Sequence, residues 1–305
     1  VTLFQPEHLL RFGQELLAAL FSVSNIYFWK VSGYFDIDAG YKALLHTWSL
    51  AIEEQFYLLW PAALLLLWRG PSKHTVLVVI AIASVLSLIL AEFWIQDQQE
   101  TAFYWLPARI FEFGIGAALV WWRRPKPLTT YPIIAEGLYG IGLLMIAWAI
   151  LQYDYVTAFP GVNALLPCLG AGLLILAGHQ ARCARVISNR PMVAIGLISY
   201  SVYLVHWPLI VFYSYWRFVA VTGLEMAALV VASIVLGALM WRYVEQPFRR
   251  PAKRSGTALV WLVASLVSVS VIAAAAMWVG EGWPWRFDSG HRFSAKAIEE
   301  GMVDR

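Results

Sequence analysis

Ionisable residues lie inside an apolar segment of membrane-spanning length early in the chain. The segment HTWSLAIEEQFYLLWP (46–61) carries His46, Glu53 and Glu54. Imidazole and carboxylate groups can accept or deliver protons during a reaction. Each charge near the centre of a bilayer costs about 2.5–3.5 kcal/mol, so such groups predict a protein-lined, hydrated interior. The alternative is that the span begins later in the sequence and leaves both carboxylates among the lipid headgroups.

Two further apolar segments carry polar residues at predicted depths close to that of the first. Arg109 and Glu112 are three residues apart and can pair along one helix. Ser199, Tyr203 and His206 fall on one helix face. Their common depth in the outer leaflet predicts one shared cavity that opens outward. The alternatives are a structural ion pair for the first group and a helix-packing role for the histidine.

A basic cluster, RYVEQPFR (242–249), follows a later apolar segment. Its spacing predicts a pair between Arg242 and Glu245, and Pro247 predicts the end of the helix. Topological anchoring by positive charge explains the arginines. The alternative is that Arg242 and Arg249 hold a phosphorylated ligand, since guanidinium groups match phosphate oxygens.

These groups must be positioned by membrane-spanning helices. The chain is 60% hydrophobic and only 13% charged, whereas soluble domains have roughly 25% charged residues. The sequence therefore predicts an all-α, polytopic transmembrane helical bundle, with about eight spans plus an interfacial or re-entrant N-terminal helix within residues 1–45. The candidate spans are residues 46–68, 75–95, 105–122, 133–151, 160–178, 193–215, 222–241 and 257–279.

Basic residues in the short loops predict the orientation of the spans. Alternate loops carry thirteen lysines and arginines against three in the opposite set, so the first set is expected to face the cytoplasm. Both ends of the chain then lie outside. The net charge of +3 follows from this topology and gives no indication of nucleic acid binding. Cys168 and Cys183 predict neither a disulfide framework nor a metal site.

Several of these motifs resemble the membrane-bound acyltransferase-3 family. They cover nearly all of residues 1–250 in order. The resemblance is carried by SNIYFW (24–29), SGYFD (32–36), LLHTWSLAIEEQFYLLWP (44–61), LPARIFEFGIGA (106–117), ISYSVYLVHWPLIVF (198–212) and RYVEQPFR (242–249). It implies four parts: an extracytoplasmic segment and loop at 1–45, a partial membrane domain at 46–250, a linking helix at 251–280 and an outside tail at 281–305.

The family pattern also includes features that have no match in this sequence. It begins with about three further spans, which hold a basic residue at a fixed distance before a catalytic histidine. An R-x-x-R motif on the cytoplasmic side follows. We therefore expect that N-terminal spans are lacking and that this fragment is inactive alone. The tail resembles the start of an extracytoplasmic SGNH-type domain.

The resemblance implies an acyl-CoA-dependent O-acyltransferase of a bacterial inner membrane, which transfers acyl groups other than aminoacyl groups. The donor would be acetyl-CoA or another acyl-CoA, without a permanently bound cofactor or metal. The partners would be this donor, a carbohydrate or glycolipid acceptor outside, and the lipid bilayer. The alternatives are a secondary transporter or flippase-like carrier, for which intramembrane charges are equally natural, and a structural membrane subunit.

The resemblance also implies a set of site residues. One glutamate of the pair at 53 and 54 would stabilise an imidazolium, and Arg109 would contact the acceptor or keep those carboxylates ionised. The catalytic group is His46, Glu53, Glu54, Arg109, Glu112 and His206; the substrate-binding group is Asn25, Ser199 and Tyr203; the CoA-binding group is Arg242, Glu245 and Arg249.

Replacing the second carboxylate tests the first segment. In the full-length protein, Glu54→Gln is expected to abolish acyl transfer without lowering the abundance in membranes, because the amide cannot stabilise an imidazolium. Transfer assays and immunoblots of the same membranes measure the two quantities. Undiminished transfer would remove Glu54 from the site.

Overall fold

The computed structural model describes residues 4–31, 39–68, 73–121, 132–154, 156–178, 181–217, 221–249 and 256–286. Helices account for most of these residues. They are α1 Pro6–Leu20, α2 Ser24–Val31, α3 Thr47–Trp68, α4 Lys73–Asp97, α5 Gln99–Tyr104, α6 Ile110–Trp121, α7 Pro132–Gln152, α8 Gly161–Ala177, α9 Arg190–Arg217, α10 Gly223–Met240, α11 Gln246–Arg249 and α12 Gly256–Val279. Short 3-10 helices cover Ala39–Tyr41, Leu106–Ala108, Arg182–Val186 and Pro284–Arg286, and a π-helical turn covers Trp241–Glu245.

Each of the eight predicted spans overlaps one α-helix of more than ten residues, and the span 105–122 also covers the separate 3-10 helix Leu106–Ala108. Within the described residues, five helical segments are long and apolar enough to cross a membrane: His74–Asp97, Pro132–Gln152, Arg190–Arg217, Gly223–Arg249 and Val260–Val279. The apolar helices Ile110–Val120 and Gly161–Ala177 are shorter. The helical fold is thus confirmed, and the chain has the character of an integral membrane protein. Eight crossings, and an interfacial or re-entrant position of α1, stay predictions.

Some of the sequence predictions fall outside the described residues. They include the SGYFD motif, most of the outside tail and several loops that carry basic residues. The segments concerned are 32–38, 69–72, 122–131, 250–255 and 287–305.

The chain divides into two compact units, and we refer to them as the first and the second unit. The first unit is Val1–Phe21, Ile37–His46 and Ser201–Arg305. The second unit is Ser22–Asp36 and Thr47–Tyr200.

In the first unit, α1 packs closely along α12. Pro6 occupies the first turn of α1, where its fixed φ suits helix initiation and its missing N–H costs nothing. A Cβ atom at Gly13 would lie 2.7 Å from the carbonyl oxygen of Ala274, so the approach depends on glycine. Leu9 and Met277 are buried in the adjoining apolar core.

In the second unit, α7 and α8 approach each other through a reciprocal glycine contact. A Cβ atom at Gly142 would lie 2.7 Å from the carbonyl oxygen of Gly170, and one at Gly170 would lie 2.9 Å from that of Gly142. Small residues at such positions let two backbones approach closely.

A serine of α4 fixes the start of α6. The hydroxyl of Ser87 donates to the carbonyl of Pro107 at 2.6 Å and accepts the backbone N–H of Phe111 at 3.2 Å. Ser87 is 4% exposed, so these bonds satisfy its hydroxyl inside an apolar interface. The turn that carries Arg109 is therefore held from α4.

The α7–α8 contact yields a direct test. Gly142→Ala is expected to destabilise the protein by about 1–3 kcal/mol, because the added methyl group overpacks against a backbone carbonyl. Gly140→Ala is the matched control, since a Cβ atom there meets nothing within 4 Å. The melting temperature of the detergent-purified protein should fall only for Gly142→Ala. Equal effects of the two substitutions would contradict the close contact.

Candidate active site

In the second unit, Arg109 lies at the junction between the 3-10 helix Leu106–Ala108 and α6. Its Nε donates to the carbonyl of Phe103 at 3.1 Å, and its Nη1 donates to the Glu112 carboxylate at 2.9 Å. The predicted pairing of Arg109 with Glu112 is present as an ion pair. Two of the three guanidinium nitrogens are thus fixed, one by a carbonyl of α5 and one by a carboxylate of α6.

Three aromatic rings surround the Arg109 guanidinium. Its central carbon lies 5.3 Å from the ring centroid of Trp48, 5.0 Å from that of Phe103 and 5.1 Å from that of Phe159. The negative faces of such rings attract a cation at these distances. The rings come from α3, from α5 and from the segment before α8, so residues far apart in sequence hold this cation.

The third nitrogen of the Arg109 guanidinium, Nη2, is buried. Arg109 is only 5% exposed, yet its Nη2 has no hydrogen-bond partner within the described part of the chain. Buried donors are nearly always satisfied, so an unsatisfied one calls for an explanation such as a catalytic role. A fixed, desolvated donor of this kind can stabilise a carbonyl oxygen as negative charge develops on it.

A polar network ties α2 to α3 and α5. The Gln55 amide donates to the side-chain oxygen of Asn25 and to the carbonyl of Ser22, both at 2.8 Å. The Asn25 amide donates to the carbonyl of Tyr104 at 3.0 Å. Asn25 is only 2% exposed, so its observed contacts position the helices that meet at α5. Its predicted contact with substrate stays a prediction.

The two adjacent glutamates of α3 have different surroundings. The Glu54 side chain is exposed and accepts a hydrogen bond from the Ser22 hydroxyl. Glu53 is half-buried. Of the two carboxylates, Glu53 is therefore the more enclosed by the protein, and the predicted roles of both stay predictions.

In the first unit, the structure brings His46, Tyr203 and His206 together. The ring centroids of His46 and His206 are 5.8 Å apart, and each lies within 5.4 Å of the Tyr203 ring. Nδ1 of His206 lies 2.7 Å from the carbonyl oxygen of Tyr203. A carbonyl only accepts, so Nδ1 carries the proton and the lone pair of a neutral ring is at Nε2. Nε2 of His206 can then act as a base.

The same face of α9 holds the segment that ends at His46. The Tyr203 hydroxyl donates to the carbonyl of His46 at 2.5 Å, and the Trp207 indole donates to the carbonyl of Lys42 at 2.8 Å. The Tyr215 hydroxyl reaches the carbonyl of Tyr41 at 3.2 Å. We call these three hydrogen bonds the clamp on the His46 segment. The clamp was not predicted from the sequence, although its aromatic donors occur there at helical spacing.

Ser199 is exposed, and its hydroxyl donates to the carbonyl of Gly196 in its own helix at 2.8 Å. The structure therefore shows a local backbone contact for this side chain. Its predicted contact with substrate stays a prediction.

The predicted basic cluster (242–249), in the first unit, is arranged around Glu245. Arg249 Nη1 contacts the Glu245 carboxylate at 3.0 Å, and the buried Ser201 hydroxyl donates to the same carboxylate at 2.7 Å. The partner of Glu245 is thus Arg249 instead of the predicted Arg242, which is exposed. The π-helical turn Trp241–Glu245 changes the faces on which residues three apart lie. Pro247 does not end the helix as predicted, because helical structure continues to Arg249 and places it one turn after Glu245.

A family model described as "Acyltransferase domain" matches residues 8–242. The chain belongs to the acyltransferase-3 family. The matched range includes the Arg109 site and the His46–Tyr203–His206 cluster, and it ends before Glu245 and Arg249. The family assignment made from the sequence motifs is confirmed.

Curated relatives of this acyltransferase-3 chain include a membrane-bound transacylase, BcsY, of Komagataeibacter xylinus. It is 34% identical over 264 residues, which cover 84% of this chain and 66% of the relative. The O-acetyltransferase OatA of Staphylococcus aureus (strain MRSA252) is 28% identical, over 88% of this chain and 48% of the relative. The peptidoglycan O-acetyltransferase OatA of Listeria monocytogenes is 29% identical, over 81% and 42%. The chain therefore spans from less than half to about two thirds of their lengths. No solved structure matches it.

Removing the Tyr203 hydroxyl tests the clamp on the His46 segment. Tyr203→Phe is expected to lower the free energy of unfolding by about 0.5–1.5 kcal/mol, the net contribution of one hydrogen bond, since the His46 carbonyl loses its donor. Tyr57→Phe is the matched control, because Tyr57 is 62% exposed. Thermal unfolding in detergent compares the two variants. A loss of stability in Tyr57→Phe alone would contradict the clamp.

Proposed function

We propose that this acyltransferase-3 chain carries out O-acyl transfer, moving an acyl group, acetyl in the first instance, from cytoplasmic acyl-CoA to a hydroxyl group of an extracytoplasmic carbohydrate or glycolipid. The observation that carries the proposal is the buried guanidinium of Arg109, whose Nη2 has no partner in the described chain. The family assignment supports it, and so do relatives named as O-acetyltransferases.

Arg109 supplies the electrostatic part of the reaction. When the acceptor oxygen attacks the thioester carbon, the carbonyl oxygen becomes negative. Nη2 donates to this oxygen, while the Phe103 carbonyl and Glu112 keep the guanidinium plane fixed. The bond from carbon to sulfur then breaks, and CoA leaves as its thiol with the proton that the hydroxyl has lost.

The first unit offers groups for proton transfer and for donor binding. Nε2 of His206 is the nitrogen of this unit that can accept a proton, because Nδ1 is engaged by a carbonyl. In the same unit, Arg242 and Arg249 are exposed and can bind the phosphates of CoA. The Arg249 side chain is 65% exposed even though it pairs with Glu245.

A thioester assay tests the function. Membranes that contain the protein, expressed from its complete reading frame, should release free CoA thiol from acetyl-CoA and place labelled acetate on envelope carbohydrate. Arg109→Lys should lower kcat by about a hundredfold, since the loss of one donor to an oxyanion costs this much. The ammonium keeps the charge but cannot reproduce the three directions of the guanidinium fork.

Arg11→Lys is the matched control, because Arg11 is a partly exposed arginine whose ion pair with Glu7 a lysine can retain. Its activity should equal that of the unaltered protein. Movement of a solute without consumption of thioester would contradict the proposal and favour a carrier. Full transfer by Arg109→Lys at equal abundance would exclude Arg109 from the reaction.

A further inference from the structure

The second unit contains a polar cleft where α4 ends and α5 begins. Its volume is about 680 Å³, which is within the range of about 300–1,000 Å³ usual for small-molecule sites. Asp97, Gln98 and Glu100 contribute exposed polar side chains, and the half-buried rings of Phe103 and Tyr104 complete the wall. The distribution of basic residues predicts that this end of α4 lies on the extracytoplasmic side of the membrane.

The aromatic part of the cleft is held in place by neighbouring side chains. The Trp48 ring centroid lies 4.4 Å from that of Phe103 and 5.6 Å from that of Tyr104. The Trp29 indole also donates to the hydroxyl of Thr101, another lining residue, at 3.0 Å. Because these rings are fixed before a ligand arrives, binding costs little side-chain entropy.

The lining has the chemistry that recognises a sugar. Aromatic faces pack against the C–H faces of a pyranose ring, while amide and carboxylate oxygens accept hydrogen bonds from its hydroxyl groups. Hydrogen bonds to a carboxylate are stronger than those between neutral groups. Asp97 and Glu100 are the charged residues of this lining, so a sugar that carries a carboxylate or phosphate would meet like charge.

Phe103 connects the cleft with the candidate active site. Its ring lies 5.0 Å from the central carbon of the Arg109 guanidinium, and its carbonyl accepts the hydrogen bond from Arg109 Nε. A sugar packed on Phe103 is therefore one side chain away from the group that would stabilise the reacting carbonyl.

We infer that this cleft, formed by Asp97, Gln98, Glu100, Phe103 and Tyr104, binds the carbohydrate acceptor and selects neutral sugars over anionic ones. The inference rests on the proposed function and deepens it, because it names the acceptor site and its charge preference.

A binding measurement tests the cleft independently of turnover. The full chain in lipid nanodiscs is titrated calorimetrically with cellotetraose, a neutral tetrasaccharide, and with tetragalacturonate, an anionic one of equal length. The neutral sugar should bind at least about tenfold more tightly than the anionic one. The neutral sugar gains hydrogen bonds to a charged group, whereas the anionic sugar meets like charge. Glu100→Lys should weaken cellotetraose binding and increase the affinity for tetragalacturonate. A gain of affinity cannot come from misfolding.

Glu7→Lys is the matched control, because Glu7 and Glu100 are both exposed acidic residues in the first turn of a helix. It should leave both affinities unchanged. Equal binding of the two sugars, saturable binding of neither, or the same affinities in Glu100→Lys as in the unaltered protein would overturn the inference.

Transfer kinetics separate the inference from the function that it rests on. If acetyl transfer occurs and Glu100→Lys leaves the KM for a neutral acceptor unchanged, the cleft is excluded and the enzyme stands. If no thioester is consumed but the charge preference and its reversal are observed, the cleft stands as a sugar site and the proposed reaction fails.

Discussion

A charge buried in a largely apolar protein has to be compensated by its surroundings, and this constraint shapes the second unit around Arg109. The guanidinium is compensated by a carbonyl, a carboxylate and three aromatic rings. These groups come from α3, α5, α6 and the segment before α8. The end of α5, the turn before α6 and the start of α3 are thus fixed by a single cation. The remaining donor, Nη2, has a defined direction because every other part of the side chain is constrained.

The fold could be predicted from the sequence as far as it depends on local hydropathy. Apolar segments of the right length gave the positions of the long helices, because a helix in a bilayer must satisfy its own backbone and present apolar side chains. The number of crossings does not follow in the same way. Helix α6, with 12 residues, and α8, with 17, are shorter than a typical span, and length in the sequence does not decide whether such a helix crosses.

The candidate site could be predicted only where its contacts join residues that are close in sequence. The Arg109–Glu112 pair follows from their spacing on one helix, and it is present. The cage of Trp48, Phe103 and Phe159 does not, because its rings come from segments far apart and meet only through packing. The pairing of Glu245 with Arg249, four residues apart, was missed because Pro247 was expected to end the helix, whereas the helix continues to Arg249. The predicted cavity that joins all of these groups stays a prediction.

The clamp that α9 forms on residues 41–46 has a consequence for how this chain can change during evolution. Tyr203, Trp207 and Tyr215 hold the main-chain oxygens of residues 46, 42 and 41, so the side chains at those three positions do not take part in these bonds. A substitution at position 46 can therefore introduce a different reactive side chain while the backbone conformation of residues 41–46 stays the same. The backbone conformation of residues 41–46 and the reactivity of the side chain at position 46 can therefore change independently. Related proteins could differ in reactivity at position 46 while α9 stays the same.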